Sequence, residues 1–171
     1  MDKGNGNLRG AARGRAALVL TAVCVASLAG LASCNPGDTP AQSELDRNEE
    51  LWRSQKITSY AFELERQCFC PEDVRGPVDI IVRDGKPASI TYVSTGKPAT
   101  ELFGTLDTID ELFSLIRDAY EGRNFFDQKA ENVQVTYHPD LGYPLTVFID
   151  VSQTIADEEQ GYTVKALAPA R

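Results

Sequence analysis

The chain has 171 residues and carries 17 Lys and Arg against 25 Asp and Glu, so its formal net charge at neutral pH is −8. An acidic surface repels the phosphates of nucleic acids and of anionic lipids, which excludes a nucleic-acid-binding protein and a protein held to membranes by a basic patch. The length suits a single domain with a real hydrophobic core.

Residues 1–33 have the composition of an export signal. The positive n-region consists of Lys3, Arg9, Arg13 and Arg15. An uncharged run rich in Ala, Leu and Val then extends over residues 16–33, as such signals require. The run ends in Leu31-Ala32-Ser33-Cys34, which resembles the lipobox of bacterial lipoproteins, where a signal peptidase cuts before an acylated cysteine. The resemblance implies a lipid on Cys34 and a domain held at the cell membrane, facing the periplasm or the exterior.

Two other interpretations of this segment stay open. It is just long enough to span a bilayer as an uncleaved anchor, and it also fits an ordinary secretory signal cut nearby. Removal of residues 1–33, with their four basic residues and one acidic residue, leaves 13 basic against 24 acidic residues. We therefore expect acyl chains, not a basic patch, to attach the domain to the membrane. Residues 34–42 are predicted to be the lipidated cysteine and a flexible tether, which holds the domain about 15 Å from the membrane.

Residues 43–171 are predicted to form one domain that begins with a helix over about 44–55. Ser43 and Asp46 have the spacing of a capping box. Alternating apolar and polar residues from Tyr60 to Cys70 predict a half-buried strand.

The next segments predict a hairpin, a loop and a second helix. Two alternating runs flank Asp84-Gly85, which is the strongest short signal for a hairpin turn. Residues 94–106 have no clear period and predict a loop. Thr108 and Glu111 form a second possible capping box, and the helical spacing that follows predicts a helix ending near Gly122.

The end of the chain predicts three more strands, starting near Val133, Leu145 and Tyr162. The predicted order is therefore α-β-β-β-α-β-β-β. Short turns between strands favour an α+β fold, with a single antiparallel sheet of about six strands and two helices packed on one face.

Three features of the chain together resemble a known family. They are the lipobox, the strand that ends in Cys68-Phe69-Cys70-Pro71, and a distal pattern formed by Val135, Tyr137, Gly142, Tyr143, Pro144 and Asp150. Jointly they resemble the secreted and lipid-anchored bacterial proteins of the domain-of-unknown-function 6174 family, over roughly residues 50–168. The resemblance implies location and architecture, and it supplies no activity and no functional residue.

Cys68 and Cys70 are the most informative pair for chemistry. With Cys34 acylated, Cys68 and Cys70 remain as an even number of thiols in a compartment that favours disulfides. Two residues along a flat strand separate their Cα atoms by about 6.6 Å, near the upper limit for a disulfide, so a bridge requires a kink. We predict a local structural disulfide. A redox-active pair, a soft-metal site and free or intermolecular thiols are the alternatives.

The remaining polar motifs give weak signals. His138 is the only histidine and no Gly-x-Ser-x-Gly accompanies it, so an exposed turn residue is expected rather than a catalytic base. Asp157-Glu158-Glu159, with Asp150 upstream, offers oxygens for calcium, but the spacing fits no EF-hand loop. A solvated hairpin tip is expected there.

The outward face of the sheet is the candidate binding surface. Its apolar residues are Ile81 and Phe148, and its expected polar residues are Glu63, Glu65, Thr91, Thr136, Thr146 and Lys165. The alternative is an ordinary solvated face.

We predict no catalytic residue, no metal site and no cofactor. The resulting hypothesis is a non-enzymatic, membrane-anchored binding or structural module whose partner is an unidentified envelope protein or ligand. The alternatives are a thiol-redox or soft-metal protein acting through Cys68 and Cys70, and a hydrolase.

Overall fold

The computed structural model describes residues 39–99 and 106–170. The chain divides into two units, Met1–Ser33 and Cys34–Arg171, and every described residue belongs to the second. The predicted export signal, the lipidation site Cys34 and the first part of the tether therefore lie outside the described residues, as does the centre of the predicted loop over 94–106. Among the described helices, none combines the length and the hydropathy that a membrane span requires.

Three helices and six strands make up the described part of the chain. In order they are α1 (Pro40–Ser54), β1 (Tyr60–Gln67), α2 (Glu72–Arg75), β2 (Val78–Arg83), β3 (Lys86–Tyr92), α3 (Ile109–Glu121), β4 (Asn132–Tyr137), β5 (Pro144–Asp150) and β6 (Gln160–Pro169). The predicted α+β class with one open antiparallel sheet of six strands is confirmed. The predicted order lacked α2, because a helix of four residues is too short to show a period.

The strands lie side by side in the order β3-β2-β1-β6-β5-β4. Two three-stranded meanders are thus joined by the antiparallel pair β1 and β6, which extends from Tyr60 opposite Pro169 to Gln67 opposite Gly161. This topology gives the sheet two different ends. The turn end holds the two tight turns at residues 84–85 and 138–143. The loop end holds the longer connections at residues 68–77, 93–99, 122–131 and 151–159.

Helix α1 begins one turn earlier than the sequence analysis predicted. Thr39 is the N-cap and Gln42 completes a capping box with it, while Pro40 occupies the first turn. The predicted box at Ser43 and Asp46 is wrong, because a proline at the first helical position already has the helical φ and starts the helix there. The predicted tether is shortened for the same reason, since residues 40–42 are helical.

Helix α3 forms as the sequence predicted. Thr108 is its N-cap, and the side chain of Glu111 completes the capping box by accepting from the Thr108 backbone N–H at 3.1 Å. The helix ends at Gly122, which adopts the left-handed conformation with φ 81°. Only glycine adopts that conformation without strain, which is why the residue marks the end of the helix.

The hydrophobic core combines one set of alternating strand residues with the apolar sides of α1 and α3. Its fully buried members include Leu45, Leu64, Val78, Ile80, Val82, Leu112, Phe113 and Ile116. The two helices run antiparallel to each other, because Asp110 at the start of α3 interacts with Arg53 at the end of α1, and Tyr120 at the end of α3 adjoins Glu44 near the start of α1. Between these ends, Arg117 of α3 donates to Asp46 at 2.8 Å and to Glu49 at 2.5 Å in α1.

The turn end of the sheet is packed directly against both long helices. Gly142 has φ 78°, and a Cβ atom there would overlap the Asn48 carbonyl and lie 3.1 Å from the Trp52 amide nitrogen of α1. The hydroxyl of Tyr60 accepts a hydrogen bond from the Ile109 amide at 3.0 Å, at the first turn of α3. Burial raises the pKa of Tyr60 to about 12, so the hydroxyl stays neutral at physiological pH.

Candidate functional site

The Cys68-Phe69-Cys70 segment lies just beyond β1, at the loop end. β1 ends at Gln67, so the predicted strand as far as Cys70 is three residues too long. The chain bends out of the sheet at this point, which brings the two Cα atoms to 5.3 Å and the two sulfur atoms to bonding distance. That Cα separation lies within the usual range for a disulfide, and the bend is the kink that a bridge needs.

The side chains around the two cysteines form a shallow surface site. Phe69 is 81% exposed, while both cysteines are half-buried. A cavity of about 320 Å³ is lined by Cys68, Phe69, Cys70, Pro71 and Arg75. A guanidinium beside a thiol favours the thiolate, so the surroundings suit thiol chemistry as well as a structural bridge.

His138 lies in the β4–β5 turn as predicted, but the residue is half-buried and not exposed. Its Nδ1 atom accepts hydrogen bonds from the amides of Asp140 and Leu141, both at 3.2 Å. The ring stacks on Tyr143 with 4.9 Å between centroids. Because Nδ1 is engaged by the backbone of its own turn, the arrangement is that of a turn-stabilising residue.

Glu158 corrects the expectation of a solvated acidic tip. Its side chain is buried and accepts hydrogen bonds from the Val151 amide at 3.2 Å and the Ser152 amide at 2.6 Å. The carboxylate satisfies two backbone donors that the end of β5 leaves unpaired. The pKa of the neighbouring Asp150 is raised by desolvation and by Glu158. Over residues 39–99 and 106–170, no group of three or more His, Cys, Asp or Glu is arranged to hold a metal ion.

The face of the sheet that points away from the hydrophobic core, here called the open face, carries an acidic centre. The Lys165 ammonium lies 2.9 Å from the Glu65 carboxylate and 3.4 Å from that of Glu63, and these contacts raise the pKa of Lys165, with Glu65 the larger cause. Asp79 stands directly opposite Glu63 on β2. Two carboxylates therefore share one ammonium and Asp79 adds a third negative charge beside them, which leaves the middle of the face negative.

Phe148 lies on the same face beside an open groove. It is 38% exposed and stands opposite Gly161 of β6 and Gln134 of β4. Because glycine has no side chain, the sheet surface is lower between Phe148 and Gln67 of β1, and the side chain of Gln67 leans over Gly161. A cavity of about 570 Å³ includes this depression and the edge of β4, and helix residues such as Tyr120 also line it. The residues that line this cavity lie on both faces of the edge strand β4. The cavity is therefore an open groove and not an enclosed ligand pocket.

Ile81 and Phe148, the two apolar residues predicted for this surface, do not form one patch. Ile81 is 39% exposed and stands opposite Ala61 of β1, whereas Phe148 is aligned through Gly161 with Gln67. Six residues along β1 separate the two levels, a distance of about 20 Å. The polar residues do gather, since Thr136 and Thr146 share a hydrogen bond of 2.6 Å beside the acidic centre.

Sequence reasoning missed Phe125, the most exposed large apolar side chain among the described residues. Phe125 is 96% exposed in the loop that follows α3, and its ring meets that of Phe126 edge to face at 5.4 Å between centroids. The available signal was an aromatic pair with no period, placed among polar residues between a capped helix end and the next strand.

One comparison with known proteins gives a match. A family model described as "Family of unknown function (DUF6174)" matches residues 44–169. None of the curated proteins and none of the solved structures matches the chain significantly. The resemblance seen in the sequence is thereby confirmed over most of the chain, and the match carries no indication of catalysis.

Proposed function

The chain belongs to the DUF6174 family of unknown function, and we propose that it is a lipid-anchored, non-catalytic binding module of the bacterial cell envelope. The open sheet face around Phe148 carries this proposal. In this proposal, α1 and α3 cover the same face of the sheet, because both contribute to one hydrophobic core. The opposite face is then available to a partner.

The anchorage part of the proposal is supported by the order of sequence features. A positive n-region, an uncharged apolar run and a cysteine after Leu31-Ala32-Ser33 follow one another without interruption. Because α1 is capped at Thr39, only residues 35–38 separate Cys34 from the cap. Four residues span at most about 14 Å even when fully extended, so in this proposal the domain lies close to the membrane surface.

The partner that best fits the open face is a protein with an apolar residue flanked by Lys or Arg. Glu63, Glu65 and Asp79 outnumber Lys165 at the centre of the face, and residues 34–171 as a whole are strongly acidic. Complementary charge accelerates encounter and selects the partner. An aromatic side chain beside a groove, such as Phe148, is the usual type of energetic centre in an interface.

The anchorage is tested by substituting one cysteine at a time in the full chain expressed in a bacterial host. We expect Cys34→Ser to abolish acylation, measured by intact mass, and to move the domain out of the membrane fraction. Cys24→Ser is the matched control, because Cys24 lies in the predicted signal, and it should behave as the unmodified chain. Unchanged acylation and partitioning of Cys34→Ser would refute the anchorage.

The binding surface is tested with a photo-crosslinking amino acid at position 148 and, as the control, at position 81. The two side chains are almost equally exposed, but only position 148 adjoins the groove. We expect a discrete protein adduct from position 148 alone, a basic partner peptide at the crosslink, and loss of the adduct in Glu65→Lys. Equal adducts from both positions, or none from 148, would refute this surface.

As part of this proposal, Cys68 and Cys70 form a structural disulfide. Thiol exchange by the same two residues is a second candidate function. The half-exposed cysteines beside Arg75 favour the second candidate. Intact mass, thiol counting and metal analysis decide between them. A mass two hydrogens light that persists in mild reductant supports the structural bridge, and a bridge that opens readily or a bound soft metal supports thiol chemistry.

A further inference from the structure

We infer that the loop end of the domain is a membrane-contact surface, where apolar side chains from four loops enter the lipid interface. This inference rests on the anchorage at Cys34 proposed above. It adds to that proposal an orientation of the domain and a second, non-covalent attachment to the bilayer.

The first observation is where the exposed apolar side chains lie. Among the described residues, six large hydrophobic side chains are exposed, and four of them lie at the loop end: Phe69 (81%), Val93 (44%), Phe125 (96%) and Ile155 (40%). The other two, Ile81 and Phe148, lie on the open face, and none lies at the turn end. Each of four separate loops contributes one of these residues. The concentration of exposed apolar side chains is therefore a property of the whole loop end and not of one irregular loop.

The second observation is that these loops are ordered by their own hydrogen bonds. Phe125 lies in a turn in which the Asn124 side chain accepts from the Phe126 amide at 3.0 Å and donates to the Gln128 carbonyl at 2.8 Å. The Ile155 amide donates to the Ser152 carbonyl at 3.0 Å, in the connection that Glu158 fastens.

The other two positions are held by a hydrogen bond and by the adjoining cysteine pair. The Val93 amide donates to the Pro77 carbonyl at 3.0 Å, and Phe69 lies between the two adjoining cysteines. The exposed side chains are therefore presented by built turns, which reduces the conformational entropy lost when they contact lipid.

The third observation is that α1, the first described element after Cys34, begins at the same end. α1 is antiparallel to α3: Trp52 near its end packs on Tyr60 at the turn end, with 5.4 Å between ring centroids. Glu44 near its start lines the same groove as Tyr120 in the last turn of α3. The Phe125 loop follows directly and is tied back to α3 by the hydrogen bond from the Ala130 amide to the Ala119 carbonyl, at 2.9 Å.

The length of the linking segment sets the orientation. Five residues, 35–39, reach at most about 17 Å from Cys34. β1 alone spans eight residues, about 26 Å along the sheet, so the turn end is held away from the bilayer while the loop end is held beside it.

Charge decides what kind of membrane contact this surface makes. The described loops at this end carry more carboxylates than basic groups, including Glu72, Asp73, Asp127, Glu131, Asp157 and Glu159 against Arg75, Lys97, Arg123 and Lys129. Attraction to anionic headgroups is therefore absent, and the contact is apolar and directed to zwitterionic lipid.

The test places one added tryptophan in the full chain, purified from a bacterial host and reconstituted into phosphatidylcholine vesicles with brominated acyl chains. Trp52 is 3% exposed and serves as an internal reference. We expect about twofold or greater quenching of the tryptophan in Phe125→Trp and in Phe69→Trp, and none in the control Phe148→Trp. Vesicles that contain phosphatidylglycerol should quench less, because the acidic loops are repelled.

Vesicle flotation separates the two proposals. A chain that floats but shows no quenching at positions 69 and 125, or equal quenching at position 148, overturns the loop-end inference alone and leaves that surface for a protein partner. A chain that does not float overturns the anchorage and this inference together. Phe125 is almost fully exposed, so its replacement leaves the core intact and this variant decides even where Phe69→Trp fails to fold.

Discussion

Both ends of the sheet carry aromatic residues, but those at the turn end are buried and those at the loop end are exposed. At the turn end, Tyr60 and Tyr143 are buried, and Gly142 lies directly on the backbone of α1. At the loop end, Phe69 and Phe125 project into solvent, Phe125 from a turn that is held by hydrogen bonds of the Asn124 side chain. The contrast shows that exposure of an aromatic residue here does not come from loose structure. It comes from the direction in which a defined turn presents the side chain.

This comparison leads to a division of roles between the ends. The turn end closes the core and joins the helices to the sheet, so changes there are expected to act on stability. The loop end is expected to tolerate changes at its projecting tips, while the residues that hold its turns remain sensitive.

The largest contrast is expected between two phenylalanines in and after α3. Phe113 is fully buried and stacks on Tyr137 with 6.3 Å between centroids, so Phe113→Ala should lower the free energy of unfolding by about 3–5 kcal/mol. Phe125→Ala should change it by no more than about 0.5 kcal/mol, because the side chain is almost fully exposed. Urea denaturation measures both. Comparable losses would show that Phe125 belongs to the core.

A pair of glycines in the two tight turns tests how closely the turn end packs on α1. Gly142→Ala should cost about 3 kcal/mol, because a Cβ atom has no room against Asn48 and Trp52. Gly85→Ala is the control: its φ is also positive, at 72°, but nothing lies within 4 Å of the added atom, so about 1 kcal/mol is expected. Equal thermal shifts for the two variants would mean that backbone conformation alone explains the loss.

At the loop end, two adjacent glutamates separate a turn-holding residue from a solvated one. Glu158→Ala leaves the amides of Val151 and Ser152 without their acceptor, and the expected loss of stability is about 2 kcal/mol. Glu159→Ala should be nearly neutral because that side chain is exposed. Hydrogen exchange at Ser152 offers a local readout, and unchanged protection in Glu158→Ala would contradict the assigned role.

The smallest effect on stability is expected from the protonation of Asp107, whose carboxyl contacts Glu111 at the start of α3. Desolvation, and then the hydrogen bond to Glu111, raises the pKa of Asp107 from 3.8 to about 6. The folded chain thus binds this proton more tightly than the unfolded chain, so the contribution of Asp107 to stability falls as pH rises from about 4 to about 6 and is lowest above that.

Substitution of that carboxyl removes the effect. Asp107→Asn should be more stable than the unmodified chain at pH 8, and the gain should disappear near pH 4. Because the residue is only half-buried, solvent screening keeps the expected gain below about 1 kcal/mol. Thermal denaturation across this pH range measures it, and a gain that is independent of pH would contradict a charge-based cause.

Much of the local structure could be predicted from the sequence. The Asp84-Gly85 turn, the Thr108–Glu111 capping box and the helix end at Gly122 all depend on interactions within a few residues, and all three form as predicted. The start of α1 could not be predicted from Ser43, because Thr39 with Gln42 offered an equivalent box and Pro40 decided between them.

The candidate site was less predictable for a similar reason. Alternation identified Ile81 and Phe148 as outward residues, but only the pairing of β1 with β6 placed them about 20 Å apart. Likewise, charge alone suggested that Glu158 is solvated, whereas the end of β5 presents two amides that its carboxylate satisfies.

The sequence by itself determined the acidic character of the chain, the order of its signal features and the position of most of its helices and strands. These properties are either sums over residues or patterns with a short period. The tertiary structure alone decided that β6 lies between β1 and β5, and that four loops distant in the sequence, each with an exposed apolar residue, lie at the same end of the sheet. Strand pairing is selected by burial of a shared core across long sequence separations, which no local pattern encodes.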